Sequence, residues 1–83
     1  MPLLQVTPRA KRELKALPFD QRVRALEAID KLADNPTLGK VLRGEFGGRR
    51  SFRFGSYRVI YHVAGNVVVV NSIGHRSTIY RQP

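Results

Sequence analysis

The chain is 83 residues long, contains no cysteine, and carries a formal net charge of +9 with histidine neutral. This length suits a single small domain over residues 1–83, and the missing cysteines exclude a disulfide framework and thiolate metal sites. No apolar run approaches the ~20 residues of a membrane span and no signal-peptide pattern opens the chain, so we expect a cytoplasmic protein without a membrane partner.

The positive charge is concentrated in the second half of the chain. Residues 41–83 contain seven basic residues and one acid, and all seven basic residues are arginine. Arginine binds phosphate through two parallel N–H groups, whereas lysine is the more usual solubilising cation. The pattern indicates a polyanionic partner, with nucleic acid first, an acidic protein second and an anionic membrane surface third.

The first half of the chain predicts one short strand and two helices. Residues 3–6 form the strand, and Thr7 followed by Pro8 marks the start of the first helix. Asp20 is the predicted N-cap of the second helix, which ends before Pro36. Helical periodicity indicates that both helices face one core. The apolar residues predicted to be buried are Leu14, Val23, Leu26, Ile29, Leu32 and Ala33.

A β-hairpin is predicted between residues 49 and 63, after a glycine-rich loop over residues 37–48. Two β-like runs flank Gly55-Ser56, where glycine accepts the positive φ of a two-residue turn. Side chains alternate between the two faces of a strand. The predicted core face carries Phe52, Phe54, Tyr57, Val59, Tyr61 and Val63. The opposite face, called here the arginine face, carries Arg49, Ser51, Arg53, Arg58, Ile60 and His62.

Arg53 and Arg58 are predicted to lie directly opposite each other on the hairpin. Like charges in that position destabilise a strand pair by about 0.2–1 kcal/mol. Two guanidinium groups can, however, bind one phosphate from both sides. The pair therefore indicates a phosphate site, and a solvated basic face without a ligand is the alternative.

The last strand is predicted over residues 67–73, where four consecutive valines indicate burial on both faces and a central position. A uniformly apolar strand does not determine its own register. A two-residue turn places Ile73 on the arginine face, whereas a three-residue turn or a bulge at Gly74 places Arg76 there, and we favour the latter. The predicted fold class is α+β, with an N-terminal strand, a helical hairpin and a three-stranded antiparallel meander packed on the helices.

The residue types of the second half favour RNA chemistry without a cofactor. Glu45 is its only acid, and two histidines in the whole chain are too few for a zinc site. RNA brings its own nucleophile, the 2′-hydroxyl, so a protein has to align it, stabilise phosphate charge and move protons. His75 and Tyr80 are the candidates for proton transfer, with a surface or packing role as the alternative for each. His62 is expected to end a strand without a catalytic role.

The chain resembles the RelE/ParE superfamily of toxins from type II toxin–antitoxin pairs. The similar segments are residues 10–17, 32–36, 39–44, 52–61 and 75–81, including the run Gly-Ser-Tyr-Arg-Val-Ile-Tyr. On the RelE side, the resemblance implies a metal-independent, ribosome-dependent mRNA endoribonuclease. On the ParE side, it implies a gyrase inhibitor without a nuclease site, and an inert partner-binding relative is a third reading. Each implies a cognate acidic antitoxin, with operator DNA bound only through the complex.

The resemblance also implies roles for individual residues. Arg53 and Arg58 match residues that hold and polarise the scissile phosphate, Arg76 matches a further phosphate-stabilising arginine, and Tyr80 matches a tyrosine at the 2′-hydroxyl end of the reaction. Ser51 stands where RelE has a lysine implicated in proton transfer.

Two departures therefore leave the proton-transfer group open. Besides the serine at position 51, the spacing from Arg76 to Tyr80 is shorter than in RelE. Arg49, Arg50 or His75 could substitute for the missing group. The residues expected to bind RNA are Lys40, Arg43, Arg49, Arg50 and Arg81.

Overall fold

The computed structural model describes residues 3–44 and 47–79, which form two helices and five strands. The elements are β1 (Leu3–Val6), α1 (Pro8–Ala16), α2 (Phe19–Asp34), β2 (Lys40–Val41), β3 (Arg50–Phe54), β4 (Tyr57–Ala64) and β5 (Val67–His75). The strands make one sheet in the order β1-β5-β4-β3-β2, in which β1 is parallel to β5 and the other pairs are antiparallel. Within the described residues, neither helix is long and apolar enough to cross a membrane.

The predicted α+β class is confirmed, and β5 is central as its valines indicated. Two predictions about where elements begin are wrong. Residues 40–41 form a short edge strand inside the predicted loop, because they pair with β3. Helix α2 begins at Phe19 with Pro18 at its N-cap, so Asp20 lies in the first turn. A carboxylate there still interacts favourably with the positive end of the helix dipole.

The start of α1 follows the prediction. Thr7 is the N-cap and its hydroxyl accepts a hydrogen bond from the Ala10 N–H at 3.2 Å. Pro8 occupies the first helical position, where its missing N–H removes no intrahelical bond. The Thr7 hydroxyl also donates to the Asn71 carbonyl at 3.1 Å, so the cap joins α1 to β5.

The core lies between the helices and one face of the sheet. Ile29, Leu32, Val59 and Tyr61 are buried as predicted, while Leu14, Phe52, Phe54 and Tyr57 are partly buried against them. The prediction is wrong for Val23 and Leu26, which are 42% and 47% exposed. Ala25 and Ala28 lie in the core instead and are 0% and 3% exposed. Ala33 is half-buried, and Val63 is exposed at the end of β4.

The two hairpins differ in regularity. Between β3 and β4 the predicted register is confirmed, with Gly55 at φ +57°. Between β4 and β5 the turn has two residues, but a bulge at Asn71 makes Tyr61 pair with Val70 and Ile60 pair with Ser72. The first alternative is right about the two-residue turn but wrong about Ile73, and the favoured alternative is right that a bulge can interrupt the strand but wrong about its place, which is three residues before Gly74.

The bulge places Ile73 on the core face, opposite Val59. The side chain of Asn71 makes two hydrogen bonds that stabilise this bulge. The Asn71 amide nitrogen donates to Nδ1 of His62 at 2.8 Å and to the Val69 carbonyl at 3.3 Å. These bonds hold Asn71 out of the strand ladder. After Asn71, the side chains that face the core are those of odd-numbered instead of even-numbered residues.

Candidate functional site

Two arginines meet at the hairpin end of the arginine face. Arg53 on β3 and Arg58 on β4 are directly opposite, as the sequence predicted. Side chains in that position have Cβ atoms about 4.5–5.5 Å apart. Arg53 is exposed and Arg58 is half-buried. The two guanidinium groups can therefore reach one phosphate, while the paired strands fix the separation of the two backbone positions that carry them.

The middle of the arginine face is buried rather than solvated. Ser51, Ile60 and Ser72 form a row across β3, β4 and β5 and are 5%, 1% and 8% exposed. Ile79 is also buried, and its side chain lies 3.6 Å from where a Cβ on Gly74 would stand. Gly74 is opposite Arg58, so the turn after β5 covers this side of the sheet. A solvated basic surface, which was the alternative to a phosphate site, is therefore present only at the margins of the arginine face.

Arg76 lies beside the hairpin turn. It follows β5, and its backbone N–H donates to the Ser56 carbonyl at 2.8 Å. Its side chain is exposed. The structure therefore brings Arg76 close to the turn that joins the strands of Arg53 and Arg58. Tyr80 and Arg81, the remaining C-terminal candidates, lie outside the described residues.

His75 lies on the opposite face from the arginine pair. It is directly across from Tyr57, and the two rings make an edge contact with centroids 5.5 Å apart. Tyr57 in turn stacks on Phe54 at 5.7 Å. The backbone N–H of Ser77 donates to Nδ1 of His75 at 3.1 Å, so Nδ1 is an acceptor and Nε2 carries the proton of the neutral ring. The structure separates this proton-transfer candidate from Arg53 and Arg58.

Arg50, expected to bind RNA, holds a loop. Its side chain points to the core side, and its terminal nitrogen donates to the Gly39 carbonyl at 2.9 Å. The buried Tyr61 hydroxyl accepts from the Gly39 N–H at 2.8 Å and donates to the Pro36 carbonyl at 2.7 Å. Burial raises the pKa of the Tyr61 phenol, although the Gly39 hydrogen bond and the Arg50 charge both act to lower it. These contacts anchor the chain immediately before β2.

The other expected RNA contacts lie at the margin of the sheet. Lys40 in β2 is exposed and stands directly opposite Ser51 on the arginine face. Arg43 and Arg49 are exposed too, and the Arg49 carbonyl accepts from the Leu42 N–H at 2.9 Å. Lys40, Arg43 and Arg49 therefore extend the positive charge from the arginine pair toward the β2 edge.

A second surface, which the sequence reading missed, lies between α2 and the edge of β3. It is a cleft of about 460 Å³ lined by Arg24, Glu27, Ala28, Lys31, Phe52, Arg53, Phe54 and Gly55. Its wall combines three cations with one acid and two aromatic rings. On α2, Phe19, Val23 and Leu26 form an exposed apolar stripe and are 72%, 42% and 47% exposed. Val23 and Leu26 of that stripe were predicted to be buried, because their helical spacing is also that of a core face.

The donor set of the site is cationic rather than metal-binding. Across residues 3–44 and 47–79, no three histidine, aspartate or glutamate side chains lie close enough together to hold a metal ion. Guanidinium and ammonium groups stabilise negative charge directly. The chemistry that this arrangement supports is the binding and polarisation of a phosphate.

One family model and several known proteins are similar to this chain. A family model described as the ParE toxin of the type II toxin–antitoxin system parDE matches residues 4–80. Toxin RelG of Mycobacterium tuberculosis (strain ATCC 25618 / H37Rv) is 35% identical over 83 residues, covering 95% of this chain and 95% of that protein. A chain of the RelBE2 toxin–antitoxin complex of M. tuberculosis has a TM-score of 0.84 and 32% identity, over 92% of this chain and all of that chain. The isolated RelE toxin of E. coli has a TM-score of 0.79 and 25% identity, over 98% and 93% of the two chains.

Proposed function

The chain belongs to the ParE toxin family of type II toxin–antitoxin systems, and from that premise we propose that it is a RelE-like toxin that cleaves mRNA on the ribosome without a metal ion. The observation that carries this proposal is the directly opposed pair Arg53 and Arg58. Such a pair costs stability unless an anion lies between the two side chains. The similarity to RelG and to RelE supports the same choice.

In the proposed reaction the 2′-oxygen of one nucleotide attacks the adjacent phosphorus and the 5′-oxygen of the next nucleotide leaves. Negative charge grows on the non-bridging oxygens, where Arg53 and Arg58 bind it, with Arg76 beside the hairpin turn as a third cation. Tyr80 is proposed at the 2′-hydroxyl end, on its resemblance alone. His75 lies on the opposite face of the sheet, so it could take part in proton transfer only by reaching the site past the end of the sheet.

A test of this function compares Arg53→Ala with the parent toxin and with Lys11→Ala. Arg53 is exposed on the site, and Lys11 is exposed on α1 away from it. Removing one donor to a transition-state oxyanion typically lowers a rate 10²–10³-fold, or about 2.7–4 kcal/mol. We expect that loss for Arg53→Ala in cleavage of ribosome-bound mRNA and no loss for Lys11→Ala, with melting temperatures no lower than that of the parent, since Arg53→Ala removes the repulsion with Arg58. Equal cleavage by all three proteins would refute the phosphate site.

A second candidate function is favoured by the family match itself, since the matched model describes a ParE toxin. In that case the chain inhibits DNA gyrase and has no nuclease activity. Induction of the toxin in cells separates the two functions. Cuts within codons of translated mRNA support the RelE-like function, whereas intact mRNA together with gyrase-dependent DNA breaks supports the ParE-like one.

We further propose that an acidic antitoxin segment covers the α2 surface, by which we mean the cleft beside α2 together with the exposed apolar stripe of that helix. The RelBE2 and E. coli RelBE structures are complexes of a toxin with its antitoxin. In this chain the cleft cations Arg24 and Lys31 lie on the same helix as the exposed apolar stripe. A partner with alternating acidic and apolar residues would match both features. Operator DNA would then be contacted through the antitoxin complex.

A further inference from the structure

The proposed cleavage needs a proton for the departing 5′-oxygen, and few groups on the arginine face carry one. Arginine stays protonated at any working pH and serves as a charge. Ser51 and Ser72 are buried. His62 lies four residues from Arg58 along β4, roughly 13 Å at the rise of a strand, and its Nδ1 bonds Asn71. Among the described residues of the strands on this face, that leaves Lys40.

Lys40 is placed toward the arginine pair by the pairing of β2 with β3. It stands directly opposite Ser51, so its side chain projects from the same face as Arg53 and Arg58. Its Cβ is about 4.5–5.5 Å from that of Ser51 and roughly 7–8 Å from that of Arg53, the diagonal neighbour. Because Ser51 is small and buried, no bulky side chain of β3 stands between Lys40 and Arg53.

The backbone at Lys40 is anchored more firmly than a two-residue edge strand would be alone. Gly39, the residue before Lys40, is hydrogen-bonded through both its N–H and its carbonyl. Tyr61 accepts from the Gly39 N–H at 2.8 Å, and Arg50 donates to the Gly39 carbonyl at 2.9 Å. Tyr61 is fully buried in the core. The sheet thus fixes the backbone that carries Lys40, whose exposed ammonium group stands on a flexible four-carbon side chain.

We propose that Lys40 is the general acid of the cleavage reaction, an inference that rests on the proposed function. The 2′-oxygen bonds to phosphorus as its proton passes to water, and the P–O5′ bond breaks. The leaving 5′-oxygen takes a proton from the Lys40 ammonium, giving a 5′-hydroxyl and a cyclic 2′,3′-phosphate. The neutral amine then regains a proton from water, so protons balance and no oxidant or reductant is needed.

The test compares Lys40→Ala and Lys40→Arg in single-turnover cleavage of ribosome-bound mRNA, with Lys11→Ala as the matched control. General acid catalysis contributes about 10²–10⁴-fold, so both substitutions at position 40 should lower the maximal single-turnover rate constant by that factor. Lys40→Arg keeps the charge and should leave the half-saturating substrate concentration nearly unchanged. Arginine keeps the charge but transfers no proton, so it should not rescue. Lys40 is exposed, and the variants should melt with the parent.

A substrate with sulfur in place of the scissile 5′-oxygen makes the test specific. A thiolate leaves without protonation, so the parent toxin and Lys40→Ala should cleave this RNA at similar rates. Rescue by Lys40→Arg, or an equal loss on the sulfur substrate, would show that Lys40 supplies charge or binding only and would overturn the proposal. If the parent toxin cleaves neither substrate, the proposed function itself fails and the role of Lys40 falls with it.

Discussion

At the scale of single residues, the contact between Gly39 and Tyr61 leaves no space for a larger side chain. A Cβ on Gly39 would lie 2.5 Å from the Tyr61 hydroxyl oxygen and 2.6 Å from a ring carbon. We expect Gly39→Ala to lower the free energy of unfolding by about 1–3 kcal/mol, the usual cost of overpacking. In a domain of this size each kcal/mol lowers the melting temperature by about 4–8 °C.

The matched control for that substitution is Gly74→Ala. A Cβ there would meet Ile79 at 3.6 Å, an ordinary contact distance. Thermal unfolding of the two variants should therefore differ, with a clear loss only at position 39. Equal melting temperatures would mean that the loop before β2 moves away from Tyr61 without cost.

The Tyr61 phenol makes stability depend on alkaline pH. Its pKa is raised in the folded protein, chiefly by burial, so the unfolded chain loses this proton at lower pH than the folded chain. The stability that it contributes is present in full below about pH 10, the ordinary tyrosine pKa, and is lost as the pH rises through the folded pKa.

Tyr61→Phe tests this linkage. At neutral pH it should cost about 1–3 kcal/mol, because the buried Gly39 N–H loses its acceptor. Above pH 10 the parent should lose stability faster than the variant, by at most about 1.4 kcal/mol per pH unit for one proton. Denaturant unfolding at several pH values measures both curves. Parallel curves would show that the phenol does not ionise differently in the folded state.

At the scale of elements, helix α1 completes the hydrogen bonding of β5 where β1 has ended. The pairing of β1 with β5 stops at Val6 and Val70, and beyond it the Ile73 N–H donates to the Glu13 carboxylate at 3.0 Å. The other carboxylate oxygen is 3.7 Å from Arg9. A helix side chain thus takes the place of a neighbouring strand.

Glu13→Ala should destabilise the protein by about 1–3 kcal/mol, because it leaves that N–H without an acceptor. Glu13→Gln keeps an amide oxygen in reach and should lose less. Asp30→Ala, an exposed acid on α2, controls for the change of charge. Urea unfolding of the three variants gives the order. A loss for Asp30→Ala as large as for Glu13→Ala would point to net charge instead of the bond.

The elements also show which features a sequence can predict. The β3–β4 hairpin and its opposed arginines were predictable, since a two-residue turn and side-chain alternation are local properties. The bond between Gly39 and Tyr61 joins residues 22 apart, and no periodicity signals it. The bulge at Asn71 depends on Thr7 and His62 in other elements, and it decides the face on which His75 lies. In α2, the apolar stripe at Val23 and Leu26 had the spacing of a core and faces solvent.

At the scale of the whole molecule, the net charge of +9 should govern the encounter with an acidic antitoxin. Attraction between exposed charges extends over roughly 30 Å at 0.01 M salt and about 3 Å at 1 M. We expect the association rate to fall about 10–10³-fold over that range, with a smaller change in dissociation. Stopped-flow binding to the cognate antitoxin measures it, and a rate independent of salt would contradict a charge-driven encounter.

A charge reversal tests whether the cations of the α2 surface take part in this attraction. Arg24→Glu with Lys31→Glu changes two cations of the cleft, whereas Lys11→Glu with Arg12→Glu makes the same change of charge on α1. Only the first pair should weaken the complex beyond the general effect of net charge. Equal weakening by both pairs would remove the cleft from the antitoxin interface.

The bulge in β5 has a consequence for how this strand can change in length. Before Asn71 the even-numbered residues Val68 and Val70 face inward, and after it the odd-numbered Ile73 does. Deleting Asn71 would remove the extra residue and leave Ser72 opposite Ile60 and Ile73 opposite Val59, so both faces of the strand would be kept. Inserting or deleting one residue between Ile73 and His75 would instead exchange the inward and outward sets at the site end of the strand. Among chains that keep this site, the strand should therefore vary in length by one residue only at the bulge.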